Sequence, residues 1–208
     1  MLRILTCALL CGSVLSATAG EKGWISLFDG ESLKGWKEAG AARSFVVEDG
    51  KIVANGKPLG HLFYAGPVRN ADFKNFELKL DVMTMPQANS GVYFHTKYQA
   101  EGWPKTGFEA QVNASHKDHR KSGGLYGIVD VNDVAPHVDK VWWKYHIIVK
   151  GPRVSIKING KTTAEWTQPD DWKRKSSGQK IDRGTFALQA HDPDSVVYFK
   201  NIQVKPLD

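Results

Sequence analysis

Apolar and polar residues alternate along most of this chain with a period of two. Phe76-Glu77-Leu78-Lys79-Leu80-Asp81-Val82 is the clearest case, and such alternation predicts a strand with one buried face. Phe108-Glu109-Ala110-Gln111-Val112 repeats the pattern, and Ser90 to Tyr98 is a further candidate strand. Tyr145–Lys150 and Val154–Ile158 read as a hairpin separated by Gly151-Pro152. Asn159-Gly160 then turns the chain into Lys161–Trp166, because both residue types tolerate the positive φ of a tight primed turn. Thr185–His191 and Val196–Val204 follow, joined by Asp192-Pro193-Asp194. No stretch of ten residues keeps a helical period. Many short strands between turn signals predict an all-β sandwich or barrel. The stretch Asn113–Lys140 shows no comparable pattern and reads as one long irregular loop, a kind of segment that often carries function.

The first twenty residues depart from this pattern. One basic residue, Arg3, precedes an apolar run from Ile4 to Leu15 and an Ala17-Thr18-Ala19 ending. These are the parts of a secretory signal peptide, and the run is too short to span a membrane. A buried N-terminal helix is the alternative. Acylation at Cys11 is disfavoured because Leu10 precedes it. Both cysteines, Cys7 and Cys11, lie in this segment, so cleavage after Ala19 leaves 189 of the 208 residues and no cysteine. The expectation is a leader over residues 1–19 and one β domain over 20–208, exported to the periplasm or the medium and folded without a disulfide.

Composition narrows the function by exclusion. With 28 basic and 22 acidic residues the formal charge is only +6, and the basic residues are scattered, the densest run being Lys173-Arg174-Lys175. No nucleic-acid-binding motif is present, no Gly-rich phosphate loop and no nucleophile elbow; Ser90 in Asn89-Ser90-Gly91 reads as a turn. His116, Asp118 and His119 match no specific metal-ligand spacing. A divalent cation is possible, and no metal ligand is assigned.

Strand parity sorts the remaining polar residues by face. If Val92 and Phe94 point to the core, Tyr93 and His95 point away. Likewise Glu109 and Gln111 lie opposite Phe108, Ala110 and Val112, and Gln189 and His191 lie opposite Phe186 and Leu188. Half of an antiparallel sheet often faces water, so such residues need no function. Assembled on a curved sheet, they have the chemistry of a sugar site. An ordinary glycoside hydrolase needs two flanking carboxyl groups, yet Glu109 has Gln111 and Asn113 beside it rather than acids. Among the tryptophans, Trp24, Trp36, Trp142, Trp143 and Trp166 read as core, and Trp103 and Trp172 as rim.

Several segments in order resemble one family. Leu27-Phe28-Asp29-Gly30-Glu31-Ser32-Leu33-Lys34-Gly35-Trp36, Asn89-Ser90-Gly91-Val92-Tyr93-Phe94, Gly107-Phe108-Glu109-Ala110-Gln111-Val112, Gly124-Leu125-Tyr126-Gly127, Gly184–His191 and Val197–Ile202 are similar to the 3-keto-disaccharide hydrolase domain family. The family pattern often has Arg after Phe94, where this chain has His95. The resemblance implies a concanavalin-A-like lectin/glucanase β-sandwich (jelly roll) of two antiparallel sheets, with action on 3-keto-glycosides. The ketone at C3 acidifies the C2 proton; removing it gives an enolate that expels the C1 aglycone, and water then adds back. On this reading Glu109 is the base and His95 the acid or enolate donor. Tyr93, Gln111, Tyr126, Gln189 and His191 bind the saccharide. A non-catalytic carbohydrate-binding module and a hydrolase of unoxidised glycosides are the alternatives.

Overall fold

The computed structural model describes residues 22–40, 43–173 and 179–208. The leader expected over residues 1–19 and the basic pair Arg174-Lys175 lie outside them. The strands are β1 (Ile25–Ser26), β2 (Trp36–Gly40), β3 (Phe45–Glu48), β4 (Lys51–Asn55), β5 (Gly60–Tyr64), β6 (Phe76–Thr84), β7 (Asn89–Thr96), β8 (Phe108–Asn113), β9 (Arg120–Leu125), β10 (Val129–Asn132), β11 (Trp143–Lys150), β12 (Arg153–Ile158), β13 (Lys161–Thr167), β14 (Thr185–Ala190) and β15 (Val196–Pro206). They form two sheets in which every pairing is antiparallel. One has the order β13-β12-β11-β6-β15-β4-β3, with β1 added on β15; the other has the order β10-β9-β8-β7-β14-β5-β2. No helix among the described residues is long and apolar enough to cross a membrane.

The eight-stranded sheet follows the alternation read from the sequence. On β6 and β11, Phe76, Leu78, Leu80, Val82, Trp143, Tyr145, Ile147 and Val149 are buried, while Glu77, Lys79, Asp81 and His146 lie on the outer face. The turn at Asn159-Gly160 has positive φ at both residues, 51° and 81°, and joins Ile158 to Lys161 in register, as a primed turn requires. Trp24 and Trp142 differ from expectation. They are half-buried on the outer surface, with the Lys79 and Lys200 ammonium groups each 4.1 Å above their rings. Trp36 and Trp143 are core residues.

The seven-stranded sheet behaves differently. Every residue of β5, β7 and β14 is buried. Their inner faces join the main core through Leu62, Val92, Phe94, Phe186 and Leu188. Together with Ala39 of β2, their outer faces form a second small apolar cluster through Phe63, Tyr93 and Ala187, covered by the loop that follows β7. Tyr98 packs edge-on against Phe63 at 5.5 Å and Trp103 against His61 at 5.6 Å. A sheet buried on both faces has no solvent to satisfy its polar side chains, and this places the site.

The stretch expected to be one irregular loop contains β9 and β10. Their sequences, Arg-Lys-Ser-Gly-Gly-Leu and Val-Asp-Val-Asn, carry turn-forming residues that hide them from a propensity reading. Tyr145 joins the two layers. Its hydroxyl donates to the Gln111 carbonyl on β8 at 2.9 Å and accepts from the Gly123 N–H on β9 at 3.3 Å. Burial pushes this phenol far above its ordinary range. Tyr145→Phe strands both partners in the core, and we expect a loss of about 1–3 kcal/mol in urea unfolding.

Candidate active site

A cavity of about 280 Å³ opens on the outer face of the seven-stranded sheet, lined by Asn89, Tyr93, Trp103, Pro104, Glu109, Gln111, Tyr126, Gln179, Gln189 and His191. That size is at the lower end for a small-molecule site. Six of the seven side chains singled out by parity and resemblance converge here: Tyr93, Glu109, Gln111, Tyr126, Gln189 and His191. Register explains the convergence. Tyr93 on β7 pairs with Glu109 on β8 and with Ala187 on β14. Gly91 pairs with Gln111, which puts the floor residues in adjacent cross-strand rows.

The floor is a directed hydrogen-bond chain. The Gln189 amide donates to the Tyr93 hydroxyl at 3.0 Å, and that hydroxyl donates to Glu109 Oε2 at 2.8 Å. Burial first, and the Glu109 charge second, push the Tyr93 phenol well above its ordinary range, so it stays protonated and keeps donating. Gly91 makes room for the carboxyl group: a Cβ there would collide with Glu109 Oε1 and lie 2.8 Å from its Cδ and Cγ. At the rim, Tyr126 is tied through its N–H to the Glu109 carbonyl at 2.9 Å. The Arg120 guanidinium stacks 4.7 Å from the centre of the Tyr126 ring and reaches its hydroxyl at 3.4 Å. Burial outweighs this cation, so the Tyr126 phenol also lies above its ordinary range. On the far wall His191 Nδ1 bonds Asp192 Oδ2 at 2.9 Å, which leaves Nε2 as the remaining nitrogen. Trp103 packs against His191 with ring centres 5.3 Å apart, in keeping with the rim position expected of it. Trp172 is not in the lining; its indole N–H bonds the carbonyl of Gln179, which is.

His95 is elsewhere. β14 pairs Thr185 with Thr96 but Ala187 with Tyr93, so β7 carries one extra residue across this step, and His95 has φ 54°. Such a bulge breaks the alternation of faces. The ring packs on Phe76 and Phe94, at 5.6 and 5.8 Å. Nδ1 accepts the Asp182 N–H at 3.2 Å, so Nε2 bears the proton and donates to the Lys74 carbonyl at 2.9 Å. A neutral imidazole spent on two loop backbones does not supply an acid to the cavity. Asn89-Ser90-Gly91, read as a turn, begins β7 instead. Ser90 faces inward and donates to the Gln189 carbonyl at 2.6 Å.

The polar loop after β8 organises itself. Asn113 bonds the His116 N–H and the carbonyls of Asp118 and Arg120, and His116 Nδ1 accepts the Asp118 N–H. Among the described residues, no three His, Cys, Asp or Glu side chains are grouped to hold a metal ion. Sequence reasoning missed Asn89, Pro104 and Gln179 in the lining, and missed His61 behind it. His61 shares the outer face with Phe63 by the same parity, but it sits in the run Gly60-His61-Leu62-Phe63-Tyr64, where apolar neighbours mask the alternation.

Residues 23–205 match the model of the 3-keto-alpha-glucoside-1,2-lyase-like domain. The chain belongs to this family. A protein of Bacteroides thetaiotaomicron named 3-keto-disaccharide hydrolase is 26% identical over 237 aligned positions, covering 89% of this chain and 79% of that one. A crystal structure from Parabacteroides distasonis, of a candidate glycosyl hydrolase, superposes with a TM-score of 0.75 at 25% identity over 89% of this chain and 94% of that chain. A galectin-like protein of Bacillus subtilis superposes with a TM-score of 0.60 at 13% identity, covering 84% and 90%. The fold is thus the lectin/glucanase jelly roll of two antiparallel sheets.

Two outcomes follow. In Gly91→Ala the added methyl displaces the Glu109 carboxyl group, and a crystal structure of the variant should show the 2.8 Å Tyr93–Glu109 bond broken. His61 and His95 are both held near 4, below the ordinary 6.5, chiefly by burial. Depressed folded-state values mean that the unfolded chain takes up protons first. Their contribution to stability is therefore complete above about pH 6.5 and lost as pH falls toward 4. His137 is held near 4 in the same way, so potentiometric titration should find at least about three protons taken up on unfolding near pH 5.

Proposed function

We propose that this protein cleaves 3-keto-glycosides by removing the C2 proton and eliminating the C1 substituent. One observation carries the reading: among the described residues, the cavity lining holds a single carboxylate, Glu109. A hydrolase of unoxidised glycosides works with a pair of carboxyl groups across the bond. A base acting beside a ketone needs one. The family's description and the name of the Bacteroides thetaiotaomicron relative support the same substrate class.

The geometry supports a role for each residue. Glu109, oriented by Tyr93 and given room by Gly91, takes the proton from C2. Electron density moves to the C3 oxygen, where a protonated phenol is a suitable donor. Tyr126, with its oxygen already accepting from Arg120, keeps its own O–H for that purpose. The C1–O bond breaks, and the departing oxygen takes a proton from His191, whose ring Asp192 holds through Nδ1. Water then adds to C1 of the enone while C2 regains a proton, so the net change is hydrolysis. His191 fills the role that the sequence reading gave to His95. Gln111 and Gln189 supply amide groups to the saccharide-binding floor, and Trp103 and Pro104 supply apolar surface at the rim.

The leader pattern over residues 1–19 supports export, so the substrate would be met outside the cytoplasm. Residues 20–208 would then act as one exported, cysteine-free domain.

The test is to incubate a 3-keto-glucoside and its unoxidised parent with wild type and with Glu109→Gln. Wild type should release aglycone only from the oxidised glycoside, and Glu109→Gln should be slower by about 10²–10⁴-fold. Equal turnover by both proteins would remove Glu109 from the base role. Saccharide binding without product would mark a binding module, and release from the parent glycoside a hydrolase of the two-carboxylate kind.

A further inference from the structure

A buried titratable group on the outer face of the seven-stranded sheet is left unused by the mechanism. His61 on β5 is 2% exposed. Its ring stands edge-on to Tyr93 at 5.5 Å and to Trp103 at 5.6 Å, and both of those side chains line the cavity. His61 Nε2 is buried and has no hydrogen-bond partner among the described residues. Burial, reinforced by His191, keeps the ring neutral at ordinary pH.

In the ladder between β5 and β14, the residue directly opposite His61 is Gln189. The two side chains rise from the same face on adjacent strands, at the spacing of a cross-strand pair. The orientation of the Gln189 amide follows from what it touches. An ionised Glu109 only accepts, so the Tyr93 O–H is committed to it, and the Tyr93 oxygen is left as an acceptor. Gln189 must then present its NH2 group to Tyr93, and its Oε1 points elsewhere. That oxygen too is buried without a partner among the described residues. A donor-capable ring nitrogen and an acceptor oxygen thus lie on neighbouring strands, each unpaired and not bonded to one another. Buried polar atoms in native proteins find partners; Gln189 lines the cavity, and His61 lies directly behind Tyr93 and Trp103 of its lining.

We propose that His61 Nε2–H and Gln189 Oε1 together grip a single hydroxyl group of the saccharide, and that this pair sets which sugar the site accepts. A hydroxyl donates and accepts at once, so it satisfies both atoms: its O–H points to Gln189 and its lone pair receives the His61 proton. A sugar lacking that hydroxyl leaves both atoms buried and unpaired, and a site built in this way rejects such analogues strongly. Trp103, lying against His61, closes this corner from solvent. The inference rests on the carbohydrate reading above and adds to it a residue and a selection rule.

The experiment measures calorimetric binding and turnover for a 3-keto-glucoside and its monodeoxy analogues, with wild type, His61→Phe and Gln189→Leu. Wild type should bind one monodeoxy analogue at least about 100-fold more weakly than the parent. His61→Phe should bind the parent as weakly as wild type binds that analogue, and should no longer tell the two sugars apart. Gln189→Leu should lose the same discrimination. If folded His61→Phe keeps wild-type affinities and the same preference, the proposal is overturned. If His61→Phe fails to fold, wild type against the deoxy series decides, and equal affinity for every analogue overturns it. Wild type that turns over the parent without discriminating any hydroxyl sinks this inference alone. Wild type that binds no saccharide sinks the carbohydrate reading with it.

Discussion

The structure turns on a constraint in the middle of the seven-stranded sheet. β5, β7 and β14 are buried on both faces, so any polar side chain on the outer face must be paired by protein or by ligand. The chain from Gln189 through Tyr93 to Glu109 is the protein's part of that pairing. Its direction is forced by the one member that can only accept. Once Glu109 accepts, Tyr93 must donate and Gln189 must offer its NH2. Two neutral neighbours thus help to orient the carboxylate, while Arg120 is engaged at Tyr126 and Asp130.

Much of this was legible in the sequence because parity in a strand is strict. Glu109 and Gln111 stand on one face because Phe108, Ala110 and Val112 demand the other, and the same holds for Tyr93 and Gln189. Tyr126 lies in a turn after β9 and came from the family resemblance, which parity alone does not yield. What failed did so for identifiable reasons. One extra residue in β7 resets the alternation, and His95 turns from the cavity toward Phe76 and two loop backbones. His61 obeys parity but is camouflaged by Leu62, Phe63 and Tyr64, which are buried on both sides of their strand. β9 escapes a propensity reading because Ser122, Gly123 and Gly124 are turn formers by composition, and β10 because Asp130 and Asn132 are. Gly124 is there for close packing, since a Cβ would approach Val131 N within 2.9 Å.

The two sheets divide the work unequally. The eight-stranded sheet keeps a conventional wet face, where Trp24 and Trp142 are covered by lysines and Glu77 bonds His146 at 2.8 Å. Its sequence alternates cleanly because solvent reads one side. The seven-stranded sheet gives up that simplicity because the loop after β7 covers its outer face. Its polar residues are spaced like surface residues, yet Gln111 and Gln189 are each 1% exposed.

Tyr145 gives this layering a mechanical side. A phenol rooted in one sheet and bonded to two strands of the other acts as a shear pin: the layers cannot slide past each other without breaking both of its bonds. One of those bonds ends on the backbone of Gln111, whose side chain lines the cavity. Stiffness in the far layer is thereby lent to the floor of the site, and a softening of the packing around Ile147 or Val149 would be felt as a looser grip on ligand some distance away.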